Sequence, residues 1–211
     1  MILAIDGAST DLSIALTTPD GTVIADASWS SAQRQSAELL PRALDLIASA
    51  DRHVGELTAL AVGTGPGSFT GLRVAMSLAK GLAFALDRPI VGVPSLVAWL
   101  EQEPNARAAV ARAGAREAYV LARGEADPAV VDRDGLGERL AGQAIVAPVE
   151  LAEAFGLNGA VHPAAAPAMA RLAARRLAED PAGDDLRGLE PTYLRPPRGL
   201  PAAPKGEVRW L

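Results

Sequence analysis

The order of apolar and polar positions over residues 1–30 is typical of β-strands. Residues 1–6 are almost continuously apolar, as expected of a strand that is covered on both faces. Residues 12–16 and 22–27 form two further strands, and Pro19-Asp20-Gly21 between them has the composition of a hairpin turn. Three successive strands at the start argue against a plain doubly wound fold, which begins with a strand, a helix and a strand.

The period of the apolar positions then lengthens to that of an α-helix. Apolar side chains three and four positions apart predict helices over residues 34–50 and 70–86. Strands are predicted over 57–62 and 89–93, and a helix over 95–103 follows the second of them. The three opening strands are therefore followed by helices that alternate with strands.

The second half of the chain repeats this order in reduced form. We predict strands at 108–110, 117–122, 129–131, 144–146 and 160–161, and helices at 135–141, 149–155 and 165–179. An order of three strands, helix, strand and helix that occurs twice predicts an α/β protein of two ribonuclease-H-like lobes. We divide the chain into a first lobe (1–101), a reduced second lobe (102–194) and a proline-rich tail (195–211).

The composition excludes several classes of site. The chain has 211 residues and no cysteine, which excludes disulfides, thiolate catalysis and zinc–thiolate sites. His53 and His162 are far apart in the sequence, which argues against a compact multi-histidine metal site. Of the 20 basic residues only Lys80 and Lys205 are lysine, and we interpret this as a compositional bias toward arginine.

Charge and hydropathy indicate the compartment and the kind of partner. The formal net charge of −5 argues against a chain that binds nucleic acid by itself. We find no apolar run of the roughly 18 residues needed to span a membrane, and no basic leader precedes the first strand. We therefore expect a cytoplasmic protein that does not associate with a membrane.

The loop over residues 63–71 is the strongest local feature of the sequence. A glycine-rich loop between a strand and a helix can present backbone N–H groups to an anion, although neither the Walker A nor the dinucleotide spacing is present. The same glycines are equally consistent with a tight turn and close helix–sheet packing. The candidates for cofactor binding are Gly65, Gly67 and Ser68 in this loop, and Asp6 at the end of the first strand.

The chain offers little equipment for catalysis. Ser68 and Thr70 have no neighbouring base in the sequence, and no Gly-x-Ser-x-Gly elbow occurs. Neither His53 nor His162 belongs to a local acid–base motif. We therefore predict no catalytic residue and no metal ligand.

The helix over 70–86 is apolar on more than one side, because Val74, Leu78 and Phe84 extend its apolar stripe. This excess predicts a protein–protein interface shared with the helix over 34–50, while burial of both helices within the chain is the alternative. Met76→Glu is expected to abolish pairing and leave the monomer folded. The predicted contact residues are Leu39, Ala43, Leu72, Ala75, Met76, Ala79 and Ala83.

Six segments of the sequence resemble the TsaB (YeaZ) family. They read Ile2-Leu3-Ala4-Ile5-Asp6, Glu38-Leu39-Leu40-Pro41, Val62-Gly63-Thr64-Gly65-Pro66-Gly67-Ser68-Phe69-Thr70-Gly71-Leu72-Arg73, Ala79-Lys80-Gly81-Leu82-Ala83, Pro89-Ile90-Val91-Gly92-Val93-Pro94-Ser95-Leu96 and Glu190-Pro191-Thr192-Tyr193-Leu194-Arg195. The match is close over residues 1–100 and thinner in the second half.

The resemblance implies the actin/hexokinase-like (ASKHA) fold, with two ribonuclease-H-like lobes of which the second is reduced. It also implies a non-catalytic scaffold subunit of the complex that forms N6-threonylcarbamoyladenosine at position 37 of tRNA. Such a subunit dimerises with a TsaD-type catalytic subunit through the helices at 34–50 and 70–86, and supports a TsaE-type ATPase. The complex uses ATP and meets tRNA, whereas the chain alone is expected to bind no cofactor. Self-association is expected when the TsaD-type subunit is absent.

The alternative is an ATP-dependent small-molecule phosphotransferase of the same fold. Asp6 would then contact Mg²⁺, and the loop over 63–71 would lie near phosphate. The loop lacks a lysine, and the second lobe shows no obvious second phosphate loop, so this alternative is disfavoured. A peptidase is disfavoured as well, because nothing in the sequence supplies a base or a metal.

Overall fold

Two five-stranded sheets with the same internal strand order form the framework of the protein. The computed structural model describes residues 1–31, 34–157, 160–161, 164–192 and 194. The first sheet contains β1 (Ile2–Asp6), β2 (Asp11–Thr17), β3 (Val23–Ser30), β4 (Ala59–Gly65) and β5 (Ile90–Pro94), in the order β3-β2-β1-β4-β5. The second contains β6 (Ala108–Arg112), β7 (Glu117–Ala122), β8 (Ala129–Asp132), β9 (Ile145–Val146) and β10 (Ala160–Val161), in the order β10-β9-β6-β7-β8.

The two orders become the same when the first sheet is followed from β3 and the second from β8. Each sheet then contains the third, second, first, fourth and fifth strand of its half of the chain, in that order. In each sheet the first three strands are antiparallel, and the fourth joins the first in parallel. The repeat that the sequence predicts is therefore confirmed, and the fold class is actin/hexokinase-like.

Six α-helices and one short 3₁₀ turn connect the strands in the described part of the chain. They are α1 (Gln35–Ser49), the 3₁₀ turn Val54–Glu56, α2 (Phe69–Leu86), α3 (Ser95–Gln102), α4 (Arg133–Leu140), α5 (Val149–Phe155) and α6 (Ala166–Glu179). Every predicted strand and helix is confirmed in type, and its ends differ from the prediction by at most a few residues.

The helices and sheets form five layers with three apolar cores. Helices α3 and α6 lie between the two sheets. Helices α1 and α2 cover the other side of the first sheet, and α4 and α5 cover the other side of the second sheet. Along β1, Ile2 and Ala4 face the middle layer, whereas Leu3 and Ile5 face α1 and α2. Burial on both faces explains why the first strand is continuously apolar.

Helix α6 falls within the predicted second lobe but packs against the first sheet. It contacts β1, β2 and α3 most extensively, and Ala166 N donates a hydrogen bond to Ser13 Oγ of β2 (3.1 Å). The five strands of the first sheet all precede residue 101, and those of the second all follow it. The lobe boundaries themselves stay a prediction, and the tail over 195–211 lies outside the described residues.

Helix α2 is long and apolar enough to cross a membrane when judged by length and composition alone, with 18 residues and a mean hydropathy of 1.3. No apolar run of that length was expected from the sequence, and α2 is the one described helix that meets this test. Leu72, Ala75 and Met76 are buried in the cores that flank the first sheet. Core packing therefore accounts for the apolar side chains on one side of this helix, whereas Phe84 on another side is exposed.

Candidate functional site

The carboxylate of Asp6 is enclosed by hydrogen bonds from within the chain. Its side chain is 3% exposed. Oδ1 accepts hydrogen bonds from Ser95 Oγ (2.9 Å) and from the backbone N of Ala8 (3.2 Å). Oδ2 accepts one from Trp99 Nε1 (2.7 Å). Ser95 and Trp99 lie in α3, so this aspartate ties the end of β1 to the helix that follows β5.

Burial raises the pKa of Asp6 above the ordinary value of 3.8, while the hydrogen bonds from Trp99 and Ser95 act in the opposite direction. Because both oxygens already accept hydrogen bonds, the geometry favours a structural role for Asp6 over that of a free metal ligand.

The same hydrogen-bond network fixes the start of the glycine-rich loop. Gly65 N donates a hydrogen bond to Ser95 Oγ (3.2 Å), and Gly65 has a φ of +90°, which glycine adopts without strain. A Cβ atom at Gly63 would lie 2.6 Å from Ser95 Oγ and would also collide with Asp6 Oδ1. Gly63 is the first residue of the predicted loop, but it was not among the candidates named from the sequence.

The rest of the loop packs the start of α2 against the turn after β1. Ser68 N donates to Ala8 O (2.7 Å), and Ser68 Oγ caps α2 by accepting from Gly71 N (3.2 Å). A Cβ atom at Gly7 would lie 2.5 Å from Gly71 O, and one at Gly67 would collide with Ala8 O. These contacts favour the packing interpretation of the loop over phosphate binding.

A cleft of about 280 Å³ opens between the two lobes. Gly67 and Ser68 line it, whereas Asp6 and Gly65 do not, so the structure separates the four predicted cofactor candidates. The walls are formed by Ala8, Ser9, Thr10, Gly67, Ser68 and Phe69 on one side, and by Arg112, Ala113, Gly114, Pro148, Glu150 and Leu151 on the other.

Metal-ligating side chains do not gather in this region. Among the described residues, no group of three or more His, Asp or Glu side chains could hold a metal ion. His53 precedes the 3₁₀ turn, where its backbone N donates to Glu56 Oε1 (2.9 Å), and His162 lies outside the described residues. His53 is not among the residues that line the cleft.

The residues predicted to contact a partner are buried inside the chain, which corrects that part of the sequence analysis. Their exposed fraction is at most 4%, because they form the faces of α1 and α2 that pack on the first sheet. They are Leu39, Ala43, Leu72, Ala75, Met76, Ala79 and Ala83. A partner that met these helices would contact the exposed side chains on their opposite faces.

The exposed faces of α1 and α2 carry apolar and small side chains. Phe84 is 79% exposed, and Leu40 and Leu44 are each more than two fifths exposed. We call this surface the outer face; it comprises Leu40, Leu44, Arg73, Ser77, Gly81, Phe84 and Ala85. Phe84 indicated this surface in the sequence, because it extends the apolar residues of the helix beyond the main apolar stripe.

Comparison with known proteins identifies the family. The family model for TsaD, tRNA N6-adenosine threonylcarbamoyltransferase, matches residues 24–176. The tRNA threonylcarbamoyladenosine biosynthesis protein TsaB of Escherichia coli is 39% identical over 97 residues, which cover 46% of this chain and 41% of that protein. The chain thus matches less than half the length of that relative.

Two further comparisons extend over nearly the whole chain. The uncharacterized protein Rv3421c of Mycobacterium tuberculosis is 32% identical over 210 residues, which cover 96% of this chain and 95% of that protein. YeaZ from Pseudomonas aeruginosa superposes with a TM-score of 0.69 at 24% identity, over 92% of this chain and 99% of that one, and so shares the fold. Together with the motifs at residues 62–73, these matches show that the chain belongs to the TsaB (YeaZ) family.

Proposed function

We propose that this chain is a non-catalytic accessory subunit of the complex that forms N6-threonylcarbamoyladenosine at position 37 of tRNA. It docks on a TsaD-type catalytic subunit through the outer face of α1 and α2. Family membership supports the pathway, because relatives such as the E. coli protein are named for threonylcarbamoyladenosine biosynthesis. The surface chemistry of α2 supports the mode of action.

The observation that carries this proposal is the glycine in the exposed middle of α2. Gly81 lies at the thirteenth position of an 18-residue helix, and a Cβ atom placed there would meet none of the described residues within 4 Å. Glycine inside a helix costs about 0.5–1 kcal/mol relative to alanine. Packing among the described residues gives no reason for that cost, whereas close approach of a partner's helix does.

The neighbours of Gly81 make the same surface suitable for a helix. Ser77 and Ala85 lie one turn before and one turn after it, so three small residues form a shallow valley along α2. Phe84 beside the valley offers a large apolar anchor.

A depression of about 370 Å³ between α1 and α2 adds apolar surface on one side of this valley. Its walls include Leu40, Val74 and Leu78, with Arg73 and Ser77 at its edge. Leu40 is 41% exposed and lines this depression, so it adds apolar surface there. The apolar area of the outer face therefore continues from α2 onto α1.

The chemistry of the reaction is assigned to other subunits. Both oxygens of Asp6 accept hydrogen bonds inside the chain, and Ser68 Oγ caps α2. ATP is used by the complex through a TsaE-type ATPase, and tRNA is bound only by the assembled complex. Self-association through the outer face is expected when the TsaD-type subunit is absent. The alternative, a phosphotransferase with Asp6 on Mg²⁺, is disfavoured by the enclosed carboxylate.

The proposal is tested by mixing the purified chain with the TsaD-type protein of the same organism. We expect a 1:1 complex by light scattering after size exclusion, and loss of that complex for Ser77→Arg, which fills the valley. Arg175→Ala on α6 is the matched control, because Arg175 is exposed and lies on another face. A complex that survives Ser77→Arg contradicts docking through this face.

Titration of the chain alone with Mg²⁺–ATP tests the alternative. We expect no saturable heat. Micromolar binding, or turnover of ATP with a small acceptor molecule, would contradict the accessory role and favour the phosphotransferase.

A further inference from the structure

The segment after α6 runs as a strap along the open edge of the first sheet. We define the strap as residues 183–192. Asp184 forms an antiparallel bridge with Ile90 of β5, and its N donates to Ile90 O (2.8 Å). Farther along, Thr192 N donates to Thr64 O at the end of β4 (2.7 Å). The strap therefore passes from the beginning of β5 to Thr64, near the start of the glycine-rich loop.

The first anchor of the strap is a paired set of hydrogen bonds at Gly92. Asp184 Oδ2 accepts from Gly92 N (2.7 Å), and Arg176 Nη1 donates to Gly92 O (2.9 Å). Arg176 Nη2 and Asp184 Oδ1 are 2.6 Å apart, so the two side chains also bind each other. This arrangement supplies the edge of β5 with hydrogen-bond partners that a neighbouring strand would otherwise provide.

The second anchor is Lys80 of α2. Its Nζ donates to Leu189 O (2.9 Å) and to Arg187 O (3.3 Å). Lys80 and Lys205 are the only lysines among 20 basic residues of the sequence. The ammonium of lysine is compact and carries three rotatable donors. Two carbonyl oxygens on one short turn fit an ammonium better than the planar fork of arginine.

Lys80 places the strap beside the outer face. Successive residues of an α-helix are turned by about 100° around its axis. Lys80 therefore lies on one side of the line from Ser77 to Gly81, and Leu78 lies on the other side, toward α1. Leu186 of the strap and Phe84 of α2 line one depression of about 430 Å³ at the end of α2. The valley on α2 therefore has α1 as one wall and the strap as the other.

From this placement we infer that the strap is part of the docking surface and that Lys80 is the residue that positions it. The inference rests on the proposed function. A partner helix in the valley would meet Leu186 and Phe84 across the depression, and Lys80 would hold these two side chains at a fixed spacing. Lys80 acts through the strap, and contact between its own ammonium and the partner is not required.

The test uses the full chain with Lys80→Met, Lys80→Arg and the control Arg175→Met. Methionine keeps the length of the side chain and removes the donor, while Arg175→Met removes the same charge from an exposed site on α6. Hydrogen exchange measured by mass spectrometry reports the strap, and calorimetric titration with the TsaD-type protein reports docking. Circular dichroism establishes that each variant is folded.

We expect Lys80→Met to speed exchange over residues 186–192 and to weaken docking, each roughly tenfold. Lys80→Arg should show the same faster exchange and weaker docking, and Arg175→Met should leave both exchange and docking unchanged. Full restoration by arginine would overturn the claim that the ammonium geometry matters. Unchanged exchange in Lys80→Met would overturn the anchor itself.

The two proposals fail in different ways. If the wild-type chain does not bind the TsaD-type protein, the proposed function fails, and with it the assignment of the strap to that docking surface. If Lys80→Met binds the TsaD-type protein as tightly as the wild type while its strap exchanges faster, the proposed function is retained and the inference about the strap is overturned. A destabilised but strap-independent variant, Val146→Ala in the core of the second sheet, separates affinity from general stability.

Discussion

Replacing Gly81 by alanine should stabilise the isolated chain and weaken its docking. A Cβ atom at this position meets no atom of the described residues within 4 Å, so the added methyl group clashes with none of them. The gain in helix propensity is about 0.5–1 kcal/mol in the free energy of unfolding. For a chain of this size that gain corresponds to a rise in Tm of roughly 1–4 °C.

The effect on docking has the opposite sign because the partner occupies the space over Gly81. One methyl group at a close helix–helix contact forces the backbones apart, and overpacking of this kind costs about 1–3 kcal/mol. Docking on the TsaD-type protein should therefore weaken by roughly five- to 150-fold. Gly81→Gln, with a longer side chain of similar helix propensity, should abolish it.

Thermal unfolding and calorimetric titration measure the two effects on the same samples. Gly137 provides a matched control, because it lies within α4 and its Cβ position is also open. Gly137→Ala should raise the Tm in the same way and leave docking unchanged. If Gly81→Gln docks as tightly as the wild type, the reasoning from the open glycine is refuted.

Three further predictions concern the interior of the chain. Met76→Glu should unfold the protein rather than separate a dimer, because Met76 is 4% exposed and an unpaired buried carboxylate costs several kcal/mol; circular dichroism distinguishes the outcomes. Gly7→Ala should lower stability by about 1–3 kcal/mol in urea titrations, since its Cβ would lie 2.5 Å from Gly71 O, and an unchanged midpoint would contradict the contact. Because burial raises the pKa of Asp6 above 3.8, its contribution to stability is fully present below that pH and is lost as pH rises through the folded value. Asp6→Asn should therefore gain stability relative to wild type as the pH rises above 3.8, and a difference that does not change with pH would show that the pKa is not raised.

The type and order of the secondary-structure elements could be predicted from the sequence. The spacing of apolar residues along a strand or a helix is a local property of the sequence. It indicates which faces of that element are buried. The continuous run over residues 1–6 indicated a strand covered on both sides, and Leu3 and Ala4 do pack into different cores. The repeat of the order in the second half then predicted the second sheet.

Which side of α2 is buried could not be predicted in the same way. The helix is apolar around much of its circumference, so periodicity alone does not distinguish a core face from a docking face. The structure decides the question because α2 packs on β4 and β1 through Ala75 and Ala79. The side chains that the sequence analysis assigned to a partner are those that the sheet covers.

The amino-acid sequence by itself thus determined the elements, their duplicated order and the resemblance that identifies the family, because these depend on neighbouring residues. Tertiary structure alone decided which groups meet. Asp6 binds Trp99, and Lys80 reaches Leu189, across 93 and 109 positions of chain. Such contacts carry no local signal, since hydrogen bonds between distant segments follow from how layers pack and not from the spacing of residues along one strand or helix.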